Sequence, residues 1–169
     1  MKNSNKKYRV FLDTNILLSG SAFPRWPYEV LQHALKGDFQ AVISPTVTGE
    51  ARRNLTDRFP AYLDRFENFM AGVDYELVDD PTLEEVEANK NLNRDFSDVP
   101  IALAAIKAKV DYLVSEDKDL TAQDATTEEL RKQIKVRISG TFLREVMGWT
   151  GEQLEAVRGR KWDDMPEHA

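Results

Sequence analysis

The stretch YRVFLDTN, residues 8–15, decides the fold class of this chain. Its opening residues are aromatic, branched or otherwise apolar apart from one arginine, a composition typical of a buried β-strand. The apolar run stops abruptly at Asp13-Thr14-Asn15, which we interpret as the start of a loop. The sequence therefore predicts a buried strand over residues 8–12 that delivers an aspartate at its carboxyl end.

Further short strands are predicted along the chain, separated by segments with helical spacing of apolar residues. These strands are residues 39–43, 75–78, 111–114 and 135–138. The predicted helices are residues 28–36 and 62–70, one that begins at Ser44-Pro45, one that begins at Asp98, and one that begins at residue 142. Residues 79–94 are acidic and rich in asparagine, which favours a loop or a weak helix.

Strands that alternate with helices predict one α/β domain with a mostly parallel central sheet of about five strands, covered on both faces. We expect this domain over residues 1–149, followed by a peripheral helix and a loose tail over residues 150–169. The polar start of the chain leads into an apolar run too short for a signal peptide or a membrane span. A cytoplasmic protein without a membrane segment is expected.

Composition narrows the possible chemistry. The 169 residues include no cysteine, which excludes disulfides, thiolate nucleophiles and cysteine-type zinc sites and fits a reducing cytoplasm. The formal net charge is -6, from 23 Lys plus Arg against 29 Asp plus Glu. Because this balance disfavours a grip on nucleic acid by the whole surface, any such contact must use a local patch.

Acidic residues stand at the ends of the predicted elements. Asp13 follows the first strand, and Asp117 and Asp119 follow the fourth. The carboxyl ends of parallel strands are where α/β sheets bind ligands, so these side chains converge if the two strands are neighbours. Asp98, at a helix start, and Glu50, early in another helix, can approach the same edge.

A cluster of carboxylates is stabilised by a bound cation. Two like charges about 4 Å apart repel by roughly 4 kcal/mol at an effective dielectric near 20, and a divalent cation offsets that cost. Oxygen ligands suit Mg²⁺ or Mn²⁺, which activate water and stabilise phosphoryl displacement. Neither His33 nor His168 is well placed as a general base, and the chain lacks a nucleophile elbow and a glycine-rich phosphate loop. A cation-activated water is the nucleophile that remains.

Each carboxylate alone also has an ordinary explanation as a turn residue, a solvated helix residue or a charge at a helix start. Their common placement at element ends carries the hypothesis. A phosphatase of the haloacid dehalogenase type would need an acid where Asn15 stands. A receiver domain would need an acidic pair and a mid-sheet aspartate, and the Asp-Lys-Asp tripeptide that glycosyltransferases share is too common to decide.

Taken in order, the motifs resemble the PIN domain family. VFLDTNIL, residues 10–17, resembles the opening strand and first acidic motif, and VISP, residues 42–45, followed by Glu50 resembles the second. DVPIALAA, residues 98–105, is similar to the third, and DYLVSEDKDL, residues 111–120, to the fourth. The resemblance spans residues 8–147, ends with a closing strand and helix, and extends to the VapC-like toxins of toxin–antitoxin systems.

The resemblance implies a three-layer α/β/α sandwich with an acidic pocket for Mg²⁺ or Mn²⁺ and endoribonuclease activity. The catalytic carboxylates it implies are Asp13, Glu50, Asp98 and Asp117, and the metal ligands are Asp13, Asp98, Asp117 and Asp119. Asn15 and Ser115 match positions that orient the carboxylates or a water. Asp95 competes with Asp98 for the inward position, and Glu116 is an extra acid that either faces solvent or makes the metal requirement stricter.

Substrate and partner expectations follow. Arg52 and Arg53 are the preferred phosphate contacts, ahead of Arg94 and Lys118. Arg25-Trp26 offers a stacking surface for a base, and the basic run 158–162 either binds RNA or keeps the terminus soluble. The resemblance implies RNA, single-stranded or structured, as substrate, a homodimer, and an antitoxin partner. The alternative is a catalytically silent PIN-like module that binds nucleic acid or protein.

Overall fold

A parallel five-stranded sheet forms the centre of the protein in the computed structural model, which describes residues 7–166. The strands are β1 (Arg9–Leu12), β2 (Gln40–Ile43), β3 (Tyr75–Leu77), β4 (Tyr112–Val114) and β5 (Lys135–Arg137). Their order is β3-β2-β1-β4-β5, and every pairing is parallel. β1 is central, and its Val10, Phe11 and Leu12 are fully buried, as predicted for the opening stretch.

Helices cover both faces of the sheet. They are α1 (Thr14–Ala22), α2 (Trp26–Lys36), α3 (Pro45–Arg58), α4 (Leu63–Gly72), α5 (Leu83–Ala88), α6 (Val99–Lys107), α7 (Lys118–Thr121), α8 (Glu128–Gln133), α9 (Ser139–Glu145) and α10 (Gly151–Val157). Right-handed crossovers put α1–α4 on one face and α5–α8 on the other. In agreement, α1 packs against α2, α3 and α4, and α6 packs against α5. The predicted three-layer α/β/α sandwich is confirmed.

The expected loop after Asp13 is wrong, because α1 begins at the next residue. The Asp13 carboxylate accepts the backbone N–H of Thr14, so the aspartate closes β1 and caps α1 at the same time. Ile16 and Leu17 are then buried on the sheet side of α1. The strand therefore passes directly into a helix, and the aspartate is fixed by both.

Residues 79–94 contain the short helix α5, which the sequence left open as a loop or weak helix. Thr82 and Glu85 form a capping box, in which the Thr82 hydroxyl accepts from the Glu85 N–H and the Glu85 carboxylate accepts from the Thr82 N–H. The threonine and glutamate spacing was readable in the sequence. These two hydrogen bonds stabilise the first turn of α5, a helix that its acidic composition alone favours only weakly.

The predicted loose tail is docked onto the domain as far as Trp162. The indole N–H of Trp162 donates to the carbonyl of Ala22 at 2.9 Å, and Arg160 forms an ion pair with Glu29. Trp26, at the start of α2, donates to the carbonyl of Leu154 in α10 at 2.9 Å. Residues 150–166 thus pack onto the corner between α1 and α2, and the boundary at residue 150 stays a prediction. His168 lies outside the described residues.

Within residues 7–166, no helix has the length and apolar character needed to cross a membrane.

Candidate metal centre

The acidic site lies where β1 and β4 end side by side. Leu12 pairs with Val114 across these two parallel strands, and the N–H of Asp13 donates to the Val114 carbonyl at 3.1 Å. Asp117 follows β4 after two residues and caps the short helix α7. The sheet therefore brings the two aspartates to one edge, as the strand pattern predicted.

Asp13 is a buried carboxylate held by several donors. It is only 4% exposed, and it accepts from the Thr14 N–H at 2.6 Å and from the Ser115 hydroxyl at 2.7 Å. Burial raises the pKa of Asp13 to about 6, although the hydrogen bonds from Ser115 and Thr14 oppose that rise, and the charges of Asp117 and Glu50 add to it. Without a bound cation, this group is half protonated near pH 6 and mostly ionised at pH 7 and above.

Asn15 and Ser115 join the two strand ends. The Ser115 hydroxyl donates to Asp13 and accepts from the Asp117 N–H at 3.0 Å and the Asn15 amide at 3.3 Å. The side-chain oxygen of Asn15, Oδ1, accepts from the Glu116 N–H at 3.0 Å. Both side chains therefore fix the turn after β1 against the turn after β4.

Asp98 supplies the third carboxylate, at the N-terminal end of α6. Its Oδ2 is buried and has no hydrogen-bond partner among the described residues. Burial raises the pKa of Asp98 to about 8, and the nearby carboxylates of Asp117, Asp95 and Asp13 add to that rise. A buried carboxylate oxygen without a partner is costly, so the donor set fits a cation that would occupy that position.

Glu50, on α3, reaches the same cluster through a residue that the sequence reasoning missed. The Thr14 hydroxyl donates to Glu50 Oε1 at 3.0 Å, while the Thr14 N–H binds Asp13. Thr14 was passed over because residues 13–15 were expected to be a loop, whereas a first-turn helix position aims the hydroxyl at α3. The structure thus brings together Asp13, Glu50, Asp98 and Asp117.

Asp119 lies at the margin of the cluster. Carboxylate oxygens of Asp95, Asp98 and Asp119 lie within 4.8 Å of one another, and among the described residues these three acids form the set whose oxygens are close enough to share one cation. However, the Arg94 guanidinium contacts Asp119 Oδ1 at 2.7 and 2.8 Å. The negative charge of Asp119 is therefore already balanced by the arginine.

The carboxylate of Asp95 also has protein partners. Its Oδ1 accepts from both the N–H and the hydroxyl of Ser97, at 3.0 and 2.7 Å, and these bonds lower the pKa of Asp95. Because two members of that set are satisfied by protein donors, we favour Asp13, Asp98 and Asp117 as ligands, whose mutual charge interactions place them near one another. This choice also gives Asp98, rather than Asp95, the inward position.

Asn93 is a second residue that the sequence reasoning missed. It is 2% exposed, its amide donates to the carbonyl of Asp119 at 2.8 Å, and its oxygen accepts from the Asp95 N–H at 3.0 Å. It thereby ties the loop before α6 to α7. An asparagine in a segment rich in asparagine gave no signal of this role.

The structure does not bring Arg52 to the site. Its guanidinium forms a two-bond ion pair with Glu67 of α4, at 2.7 and 3.0 Å, on the outer side of α3. Arg53 instead lines a pocket of about 320 Å³ together with Glu50 and Asp80. Of the two preferred cations, Arg53 is therefore the one that lies beside the carboxylates.

Glu116 turns away from the metal centre. Its two oxygens accept from the N–H and the hydroxyl of Ser139, both at 2.8 Å. The idea that this extra acid makes the centre more repulsive loses its geometric basis. Lys118, between the two aspartates, is exposed to solvent.

The raised pKa values predict how the metal-free protein responds to pH. An acid whose pKa is higher in the folded state binds its proton more tightly there, so the free energy of unfolding falls as pH rises from about 4 to about 8. The buried Asp13, with a pKa of about 6, accounts for about 3 kcal/mol of that fall. In EDTA, the melting temperature should be higher at pH 6 than at pH 8, and Asp98→Asn should flatten the difference, because Asp98, with a pKa of about 8, releases its proton in this range. A wild-type protein more stable at pH 8 would contradict the burial of these charges.

Comparison with known proteins agrees with this geometry. The family model for the PIN domain matches residues 9–119, and no curated protein sequence matches the chain significantly. The crystal structure of PAE2754 from Pyrobaculum aerophilum is similar, with a TM-score of 0.57 and 18% identity over 84% of this chain and 91% of that one.

VapBC2 from Rickettsia felis, solved bound to a DNA fragment from their promoter, is also similar, with a TM-score of 0.51 and 15% identity over 77% of this chain and 98% of that one. At such identities these likenesses show a shared fold. The family match is different in kind, because it covers more than half of the chain and includes every carboxylate of the cluster. The chain therefore belongs to the PIN domain family.

Proposed function

We propose that the protein is an endoribonuclease that requires Mg²⁺ or Mn²⁺ and hydrolyses phosphodiester bonds in its acidic pocket. PIN domains are generally nucleases, which supports the reaction class. The observation that carries the proposal is the buried Asp98 Oδ2, which lacks a partner among the described residues and lies beside Asp117 and Asp13. Such an arrangement is unfavourable for a purely structural role and suits a cation site.

Asp13, Asp98 and Asp117 are the proposed direct ligands, and Asp119 contributes through a water because Arg94 holds its carboxylate. When bound, a divalent cation neutralises charge at the scissile phosphate and makes water a stronger nucleophile. Ser115 keeps Asp13 oriented toward the pocket.

Glu50 is the proposed proton acceptor for the attacking water. Its Oε1 is held by the Thr14 hydroxyl, so its position relative to Asp13 is fixed before substrate arrives. Arg53, three positions after Glu50 on α3, is the proposed phosphate contact, since it lines the pocket that Glu50 shares. Preorganised groups of this kind lower the cost of reaching the transition state.

The partners belong to the same proposal. The resemblance to VapC-like toxins, together with the shared fold of VapBC2, supports an antitoxin protein as partner. The resemblance alone supports a homodimer as the assembled form. We expect the protein to act in the cytoplasm on RNA, single-stranded or structured. A neighbouring gene for a short DNA-binding protein would support the toxin role.

A cleavage assay tests the proposal. Fluorescently labelled single-stranded RNA, duplex RNA and single-stranded DNA of the same sequence are incubated with the protein in Mg²⁺, in Mn²⁺ and in EDTA. Internal cuts in RNA that depend on the cation are expected. If none of the substrates is cut in either metal, the enzyme proposal fails, and the catalytically silent PIN-like binding module becomes the better reading.

A further inference from the structure

Ser44 is a buried serine that the proposed function leaves without a role. The residue is 1% exposed, and its Oγ has no hydrogen-bond partner among the described residues. Although Ser44 is the N-cap residue of α3, its hydroxyl does not bond to the first N–H groups of that helix. Because a buried hydroxyl without a partner destabilises the folded protein, this position suggests a ligand that the hydroxyl binds.

The sheet places Ser44 directly beside Asp13. β1 and β2 pair in parallel, with Phe11 opposite Val42. Two positions further along, Asp13 and Ser44 both keep extended backbone angles, with ψ of 162° and 160°. The pairing therefore continues to these two residues. Since side chains two positions apart share one face of a strand, Asp13 and Ser44 are neighbours on the same face of the sheet.

Ser115 shows what a serine in this row does for Asp13. Because Leu12 pairs with Val114, Ser115 stands opposite Asp13 on the β4 side, and its hydroxyl donates to Asp13 at 2.7 Å. Ser44 holds the matching position on the β2 side, but its hydroxyl makes no bond to Asp13. Asp13 therefore lies between one serine that binds it and a second serine that does not.

The far side of Ser44 in this row is apolar. Ile43 pairs with Leu77 of β3, so Val78 stands opposite Ser44. The N–H of Val78 donates to the Ile43 carbonyl at 2.9 Å, which confirms that the pairing reaches this residue. The polar neighbour of the Ser44 hydroxyl in its row is therefore Asp13, on the side of the metal centre.

Polar atoms without a partner are concentrated at this place. Three buried side-chain atoms lack a hydrogen-bond partner among the described residues, and two of them, Ser44 Oγ and Asp98 Oδ2, lie around Asp13. The third is Ser21 Oγ, in the second half of α1. Such atoms usually bind an ordered water or an ion, so the two at the metal centre point to a cation together with its waters.

The spacing of the strands suits a water between Ser44 and Asp13. Neighbouring strands lie about 4.7–4.9 Å apart, so a serine that does not turn onto its neighbour leaves a gap wider than a direct hydrogen bond. Polar groups more than about 3.5 Å apart are often bridged by a water. Mg²⁺ usually keeps several waters when carboxylates bind it, and a serine hydroxyl accepts a hydrogen bond from such a water.

We propose that Ser44 is a positioning residue of the metal centre, whose hydroxyl binds a water in the shell of the cation beside Asp13 and Asp98. The inference rests on the proposed cation requirement and adds a residue of the β2 end to it. Groups that hold the ligands of a metal in place typically change its affinity by 10–100-fold. Loss of the hydroxyl should therefore weaken cation binding.

Titration of the full chain with Mn²⁺ tests the role of Ser44. The free cation is measured by electron paramagnetic resonance at pH 8, and Ser44→Ala should bind Mn²⁺ about tenfold more weakly than the wild type. Ser21→Ala is the matched control, because it also removes a buried hydroxyl without a partner but about two turns along α1 from the centre. Its affinity should stay at the wild-type value. Unchanged affinity in Ser44→Ala, or an equal loss in both variants, would overturn the proposal.

Melting curves separate this role from helix capping. In EDTA, Ser44→Ala should melt at the wild-type temperature or above it, because the substitution breaks no hydrogen bond within the protein. Loss of a helix cap would instead lower the melting temperature by about 2–4 °C. A lower melting temperature together with unchanged Mn²⁺ affinity would make Ser44 a capping residue and overturn the proposal.

RNA cleavage distinguishes a failure of this inference from a failure of the proposed function. If the wild type binds Mn²⁺ and cuts RNA while Ser44→Ala binds the cation equally well, only the role of Ser44 is refuted. If Ser44→Ala loses affinity but the wild type cuts no nucleic acid, the nuclease function is refuted and the role of Ser44 stands. A wild type that does not bind the cation would overturn both.

Discussion

Replacing Asp98 with asparagine should lower the rate of RNA cleavage at least about a hundredfold while the protein stays folded. A divalent cation at a phosphoryl-transfer centre stabilises the transition state by several kcal/mol, and loss of a central ligand removes much of that effect. Asparagine has nearly the same volume, and it removes a charge whose burial already raises the pKa of Asp98 to about 8. Initial rates on labelled RNA, with melting curves of both proteins, give the measurement.

Asp95→Asn is the matched control for this variant. Asp95 lies in the same turn, three positions earlier, but its carboxylate is held by Ser97. Its substitution should change the rate by only a few fold. If Asp98→Asn cleaves like the wild type, or if the two variants lose activity equally, the assignment of Asp98 to the metal centre is wrong. The comparison also excludes a contaminating ribonuclease, which neither variant would affect.

Addition of Mg²⁺ or Mn²⁺ to the metal-free protein at pH 8 should raise its melting temperature by roughly 5–10 °C when the cation is at a hundred times its dissociation constant. A ligand that binds only the folded state contributes about 2.7 kcal/mol under that condition. For a chain of this size, each kcal/mol corresponds to about 2–4 °C. At pH 8 Asp13, with a pKa of about 6, is largely ionised, so the cation also relieves repulsion with Asp117 and Glu50.

Variants locate the cation that causes this shift. Asp13→Asn and Asp98→Asn should each lose most of it, whereas Glu116→Gln should keep it, because Glu116 faces Ser139 rather than the centre. A shift that survives in both aspartate variants would place the cation elsewhere, for example between Asp95 and Asp119. No shift with either metal would remove the metal from the mechanism.

Local patterns were sufficient to predict the sheet and the main carboxylates. The strand ending at Leu12 is a short apolar run followed by a polar break, and such a signal depends on residues adjacent in sequence. The positions of Asp13 and Asp117 could be predicted together with their strands, because the carboxyl ends of neighbouring parallel strands lie at the same edge of the sheet. The position of Asp98 could be predicted from the start of its helix, because Pro100 marks the first turn of that helix.

Contacts between distant segments were beyond the reach of sequence patterns. Arg52 was expected at the substrate, yet its partner Glu67 lies on the next helix, and their meeting depends on how α3 packs against α4. Glu116 was an unexplained acid because Ser139, its partner, is 23 positions away. Both pairings are long-range, and no local preference encodes them.

The docked segment that carries Arg160 and Trp162 has a practical consequence for anyone who shortens this protein. Ending the chain at residue 149, where the sequence suggests a boundary, would leave the Trp26 indole, the Ala22 carbonyl and the Glu29 carboxylate without the partners that they have in the structure. Each such group costs about 1–3 kcal/mol when it stays buried. The trimmed protein would therefore lose thermal tolerance even with every carboxylate intact.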